Sequence, residues 1–108
     1  MLYDVRTYTV RAGTMKAHLD LYREMGWAAQ TRNLGQPFAF FVTETGPLNT
    51  YIHIWAYKDA ADRATRRAAM QADPDWIAYL AESTKAGYLL GQENRLMTEA
   101  PFFAPPAL

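Results

Sequence analysis

The sequence predicts an α+β domain of βαββαβ order, with four antiparallel strands in one sheet and the helices on one of its faces. Three observations predict it. Segments rich in β-branched and aromatic residues alternate with segments of helical periodicity. The two middle β segments are separated by a stretch short enough to require a hairpin. The length, 108 residues, fits one compact domain, 1–108.

The first strand covers residues 3–10, from Tyr3 to Val10, and Arg11-Ala12-Gly13 breaks it. Thr14 is the expected N-cap of a helix whose apolar stripe is Met15, Leu19, Tyr22, Met25 and Ala29. That helix should fade near Gln30, because Asn33-Leu34-Gly35-Gln36-Pro37 has loop chemistry. Phe38–Thr45 reads as the second strand, Gly46-Pro47-Leu48-Asn49 as a turn, and Tyr51–Tyr57 as the third strand. Asp59 and Asp62 mark the start of a helix in capping-box style, with Ala61, Ala64, Ala68 and Ala72 as the small-residue stripe that would lie on the sheet. Its Asp59–Arg63 and Asp62–Arg66 spacings suit an exposed surface, so Arg63, Arg66 and Arg67 read as a solvated face rather than an anion patch. Asp73-Pro74 opens a further short helix, with Trp76, Ile77 and Leu80 as its buried face. A last strand runs from about Tyr88 to Thr98, and residues 100–108 form an apolar, irregular tail. This order is the split βαβ, ferredoxin-like arrangement, with the first and third strands at the centre of the sheet.

Composition removes several function classes. Eleven Lys/Arg balance eleven Asp/Glu, without the basic excess expected of a protein that grips nucleic acid by its phosphates. The absence of Cys excludes disulfides, iron–sulfur clusters, thiolate zinc sites and thiol nucleophiles. No apolar run approaches the roughly 20 residues that span a bilayer, so membrane insertion is not expected. The opening Met1-Leu2-Tyr3-Asp4-Val5-Arg6 lacks the pattern of a secretory signal, and a cytoplasmic protein is expected. His18 and His53 have no paired-ligand spacing, and neither a Gly-rich phosphate loop nor a nucleophile elbow occurs, so no metal or cofactor is expected.

Two-residue periodicity predicts a sheet that is apolar on both faces. Tyr51, His53, Trp55 and Tyr57 oppose Ile52, Ile54 and Ala56; Phe38, Phe40 and Val42 oppose Ala39 and Phe41; Leu89 and Met97 oppose Leu90 and Leu96. A half-solvated antiparallel sheet should instead show a polar outer face. Helices cover only one side, leaving a bare footprint of roughly 300–400 Å², close to the largest patch a soluble monomer exposes. A second copy, packed sheet against sheet, is the expected partner, closing a dimeric α+β barrel.

The chemistry-bearing side chains lie on the strands. Arg6 and Tyr8 share one face of the first strand, and His53, Trp55 and Tyr57 one face of the third. Glu93 and Arg95 share a face of the fourth, opposite Gln92 and Asn94. Unpaired polar groups there cost about 1–3 kcal/mol each. Two readings keep them. In the structural one, Arg6 bridges to Glu93 or Glu44, His53 is hydrogen-bonded and the tyrosine hydroxyls cap the core. In the functional one, they line a pocket between sheet and helices for a small organic molecule: Tyr8, Trp55, Tyr57, Glu93 and Asn94 contact it, His53 is a candidate base, and Arg6 holds the resulting anion. Spacing alone favours the structural reading.

The runs that carry a wider resemblance are Tyr3-Asp4-Val5-Arg6-Thr7-Tyr8 with Gly13, the central segment from Glu44 to Tyr57, Asp73-Pro74-Asp75-Trp76, and Gln92-Glu93-Asn94-Arg95. Through them the chain resembles the NIPSNAP family from Tyr3 to about Phe102, with Asp4 where the family often has Glu and Phe41 where an indole is common. The resemblance implies a dimeric α+β barrel and no particular reaction. Eukaryotic members are associated with mitochondria and with proposed vesicle or signalling roles. The superfamily also holds small cofactor-independent monooxygenases and haem-degrading enzymes with pockets between sheet and helices. By that analogy, oxygenase-like or isomerase-like chemistry is one expectation, and a non-catalytic scaffold or ligand sensor the alternative.

Overall fold

Strand β1 (Leu2–Val10) is the spine of the sheet in the computed structural model, which describes residues 1–106. It pairs antiparallel with β3 (Thr50–Tyr57) on one side and with β4 (Leu89–Met97) on the other. β2 (Ala39–Val42) pairs with β3 at the far edge, giving the order β2-β3-β1-β4. The α+β, ferredoxin-like βαββαβ order predicted from the sequence is the one observed. β2 is shorter than the predicted Phe38–Thr45, ending where the chain enters the turn that contains Gly46 and a left-handed Asn49.

The first helical region departs from the single expected helix. It is two helices, α1 (Met15–Met25) and α2 (Trp27–Leu34), with Gly26 between them. A Cβ at Gly26 would stand 2.9 Å from Tyr22 Cδ1 and 3.0 Å from the Tyr79 ring, so the missing side chain lets two aromatic rings close over the bend. Thr14 occupies the N-cap position, but its hydroxyl donates back to the Arg11 carbonyl and caps nothing.

Helices α3 (Ala60–Ala72) and α4 (Pro74–Ala86) start as predicted. The Asp59 carboxylate accepts from the Asp62 backbone N–H, and that of Asp73 from the Asp75 N–H, with Pro74 in the first turn. Their buried faces differ from expectation. On α3 the alanine stripe Ala61, Ala64, Ala68 and Ala72 is exposed, whereas Arg63, Arg66 and Arg67 are half-buried and Met70 is fully buried. The arginines can face inward because their stems cover apolar surface while their heads find acceptors: Arg63 on Asp4, Arg66 on Asp62 and the Leu34 carbonyl. On α4, Trp76 and Tyr79 are buried while Ile77 and Leu80 are exposed.

In β4 the strict alternation assumed from sequence fails at one place. Thr9 pairs with Gly91 and Val10 with Leu89, so Leu90 is an extra, unpaired residue. The bulge puts Leu89 on the same face as Gln92, Asn94 and Leu96, with Met97 on the opposite one.

All four helices lie on one face of the sheet, over a core that includes Tyr22, Ala29, Leu34, Trp55, Tyr57, Met70, Trp76 and Tyr79. The other face carries Val5, Ile52, Ile54, Ala39 and Phe41, and no helix covers it. Phe41 is 69% and Ile52 37% exposed. Residues 100–106 form neither helix nor strand; residues 107 and 108 of the expected tail lie outside the described residues. Phe103 and Pro105 border a groove with Tyr3, Val5, Phe38, Ile54 and Met97, so the tail flanks one end of this face and leaves the rest open. Among the described residues, no helix is long and apolar enough to cross a membrane.

Candidate functional site

Alternation along β1 and β3 delivers one polar and aromatic row to the helix-covered face. Register sets Phe40, His53, Arg6 and Asn94 side by side across the four strands, with Tyr51, Tyr8 and Gln92 in the next row and Trp55 and Asp4 in the row on the other side. Above these rows a partly enclosed cavity of about 170 Å³ remains between sheet and helices. Arg6, Tyr8, Tyr51 and His53 form its floor, and His18, Tyr22, Gln30, Arg67, Met70 and Tyr79 close it from the helices.

A buried carboxylate organises one end. Asp4 is fully buried, accepting hydrogen bonds from Asn94 (2.9 Å), Arg6 Nη1 (3.1 Å) and Arg63 Nε (3.1 Å). Burial pushes its carboxyl up, but the Asn94 hydrogen bond and the two guanidinium charges outweigh that and hold it below the usual carboxylate range. Arg6 also donates from Nε to the Tyr8 hydroxyl at 3.0 Å. The partner expected for Arg6, Glu93 or Glu44, is therefore replaced by Asp4, its neighbour two residues back on the same face.

His53 is held from below. The Trp55 indole N–H, which can only donate, meets His53 Nδ1 at 2.7 Å. Nδ1 is then the acceptor, and the proton of the neutral ring sits on Nε2. That Nε2 is buried and has no hydrogen-bond partner among the described residues. The ring is stacked against Phe40 (5.0 Å) and Tyr51 (5.6 Å) and is met edge-on by Tyr8 (4.5 Å). Burial, reinforced by the Arg6 charge, pushes its pKa down to about 3. At neutral pH His53 is thus an uncharged donor whose one basic lone pair is already occupied, an arrangement that suits gripping an acceptor better than removing a proton.

The upper wall repeats the theme. His18 Nε2 and the Tyr51 hydroxyl lie 2.7 Å apart, burial lowers the His18 pKa, and its Nδ1 is also without a partner among the described residues. The Tyr22 hydroxyl donates to Gln30 Oε1. Burial raises the Tyr22 and Tyr51 pKa values, so both stay protonated.

Of the residues singled out from sequence, Arg6, Tyr8 and His53 meet at the cavity. Trp55 lies beneath His53 as its hydrogen-bond donor, and Asn94 acts through Asp4. Tyr57 is buried away from the cavity wall, its hydroxyl without a partner among the described residues, and Glu93 is exposed, opposite Thr7 on the uncovered face of the sheet. Sequence reasoning missed His18, Gln30, Tyr79, Asp4 and Arg67 as members of this site. His18 stands four residues before Tyr22, so a stripe drawn one position over would have included it. Arg67 was obscured by the reading of α3 as solvated on its arginine face.

Comparison with known proteins agrees with this architecture. Residues 3–104 match the family model described as NIPSNAP. A NIPSNAP family protein with unknown function from Agrobacterium tumefaciens is 36% identical, with 95% of this chain and 91% of that one aligned and a TM-score of 0.87. An uncharacterized NIPSNAP domain protein from Burkholderia xenovorans is 30% identical over 97% of this chain and all of that one (100%), with a TM-score of 0.88. The Dictyostelium discoideum protein NipSnap homolog is 29% identical over 90 residues, 77% of this chain and 36% of its own length. The chain spans about a third or less of the curated relatives it matches. A putative antibiotic biosynthesis monooxygenase from Nitrosomonas europaea shares the fold at 14% identity, with a TM-score of 0.65 over 92% of this chain and 98% of that one.

Proposed function

Because the chain belongs to the NIPSNAP family, we propose that it works as a homodimeric α+β barrel that binds a small organic molecule in the cavity between its sheet and helices. The observation that carries this reading is His53 Nε2, a buried donor without a partner among the described residues, on a ring that lines the cavity. Such an orphan costs about 1–3 kcal/mol unless a ligand or water satisfies it. The cavity, about 170 Å³, is comparable to the ~150 Å³ site that admits benzene in another protein, so its occupant is about the size of one ring. The uncovered face of the sheet, with Ile52 and Phe41 exposed on it, supports the second copy.

The geometry favours binding or sensing over proton abstraction. His53 has given its basic nitrogen to Trp55, and among the described residues no carboxylate lines the cavity. Oxygenase-like or isomerase-like chemistry would need a base from elsewhere. An NMR screen of single-ring fragments, run in parallel on wild type, His53→Asn and His53→Gln, tests the reading. Asn keeps an acceptor for Trp55 and loses the Nε2 donor, whereas Gln reaches the Nε2 position. Fragments that shift the His53 ring signals in wild type should bind at least tenfold more weakly to His53→Asn and be partly retained by His53→Gln. A screen in which no fragment perturbs either histidine would overturn the proposal.

A further inference from the structure

We propose that the cavity selects a planar monoanion, a carboxylate or acidic enol borne on a single aromatic or unsaturated ring, with Arg6 and Arg67 facing the charge and the Trp55-oriented His53 Nε2–H donating to it. This rests on the small-molecule reading above and names the ligand class.

Charge is the first argument. The titratable groups lining the cavity are the guanidiniums of Arg6 and Arg67, the imidazoles of His18 and His53 and four tyrosines, with no Asp or Glu among them. The buried Asp4 carboxylate, which holds Arg6, is shared between two guanidiniums, those of Arg6 and Arg63, and Arg67 adds a further positive charge at the cavity wall. Arg67 has no ion pair or hydrogen bond among the described residues although it is half-buried, and Arg6 spends Nε on Tyr8 and Nη1 on Asp4, leaving Nη2 uncommitted. Arg67 lines the cavity without a protein acceptor among those residues, and an anionic ligand is a group that would supply one.

Donor polarity is the second argument, and it is independent of charge. Because the Trp55 indole can only donate, it fixes which His53 nitrogen carries the proton. The site therefore offers a donor at Nε2 and rejects a ligand that presents its own N–H there. Trp55 is in this sense a positioning residue, acting on the ligand through the tautomer of His53. Shape is the third argument: Phe40, Tyr51 and His53 form a stacked wall whose ring centroids lie 5.0–5.6 Å apart, and a flat ring fits such a wall better than a branched aliphatic group.

Benzoate and benzamide, nearly identical in size and differing in charge and in the extra N–H, separate these claims by isothermal titration and NMR. Benzoate should bind wild type at least tenfold more tightly than benzamide, and more weakly as salt rises. Arg67→Gln should lose about tenfold in benzoate affinity with benzamide unchanged, and Arg67→Lys should restore most of the loss. Long-range ¹H–¹⁵N spectra should report His53 as the pure Nε2–H form in wild type and as a mixture in Trp55→Phe, where benzoate affinity drops with Arg6 and Arg67 intact. Equal or tighter binding of benzamide overturns the anion assignment while leaving the small-molecule site standing. Failure of both probes to bind, while other fragments from the screen do, overturns this proposal alone; failure of every fragment overturns both.

Discussion

His53 and His18 sit where water barely reaches, and both keep their imidazoles neutral for the same reason: burial opposes the charged form, and at His53 the Arg6 charge adds to it. A depressed folded pKa has a definite consequence for stability. As pH falls through the ordinary value of about 6.5, the unfolded chain takes up protons that the folded chain refuses, so stability is greatest above that value and declines toward the folded pKa, about 3 for His53. The slope reaches about 1.4 kcal/mol per pH unit for each such histidine. Urea denaturation should show a steady loss between pH 6.5 and 4.5, and His53→Gln should make the slope shallower. A flat profile across that window would contradict the burial described for both rings. Asp4 enters lower on the scale, since its lowered pKa protects stability above about 3.9 and loses it only in more acidic solution. At this scale the site was half legible. Arg6, Tyr8 and His53 share faces of central strands, and strand periodicity exposes that. The role of His53 was hidden, because nothing in a one-dimensional spacing says that the indole two residues on would take its Nδ1 lone pair. Nor could spacing reveal that Asp4 lies between guanidiniums from β1 and α3.

Gly26 shows how an element boundary can depend on volume instead of torsion. Its φ is −109°, a value open to any residue, so its importance lies in the two tyrosine rings that approach it. Gly26→Ala sets a gain in helix propensity of about 1 kcal/mol against overpacking worth about 1–3 kcal/mol, and the 2.9–3.0 Å contacts to ring carbons favour the second. We expect a net loss of about 1–2 kcal/mol by chemical denaturation. Tyr22 and Tyr79 also line the cavity, so fragment affinity should change with it. A stabilised Gly26→Ala protein would show that the rings move aside freely. The strands and the starts of α3 and α4 were readable from β-branched runs and from Asp caps, each signal being local. The bend at Gly26 was not, because the apolar stripe from Met15 to Ala29 continues through it. The orientation of α3 was inverted for a related reason: alanines are the obvious apolar stripe, but the long arginine stems bury more surface and find Asp4, Asp62 and the Leu34 carbonyl inside.

For the molecule as a whole, the decisive feature is a sheet with one face under helices and the other, bearing Phe41 and Ile52, open. Ile52→Asp should cost a monomer little, since the position already meets water, but it would set two carboxylates against an apolar partner surface in the proposed dimer. Sedimentation equilibrium at micromolar concentration should give the wild type a mass near twice 12.3 kDa and Ile52→Asp a mass near that of one chain. A wild-type monomer would remove the dimer from the proposal. The open face was legible from alternation alone, since β3 places Ile52 and Ile54 opposite four buried residues, and only its boundary along β4 was misread. That boundary turns on Leu90. With one residue spare, the strand carries two reading frames joined at a single joint: Leu89 is kept in phase with the core on one side of it, and Gln92, Asn94 and Leu96 on the other. Removing Leu90 would heal the ladder: Leu89, Gly91 and Gln92 would then alternate without a break, and Leu89, Asn94 and Leu96 would keep the face they have now. Adding one more residue at the joint would do the opposite, turning either Leu89 away from the cavity or Asn94 away from Asp4. The strand thus holds a place where it tolerates the loss of a residue far better than the gain of one.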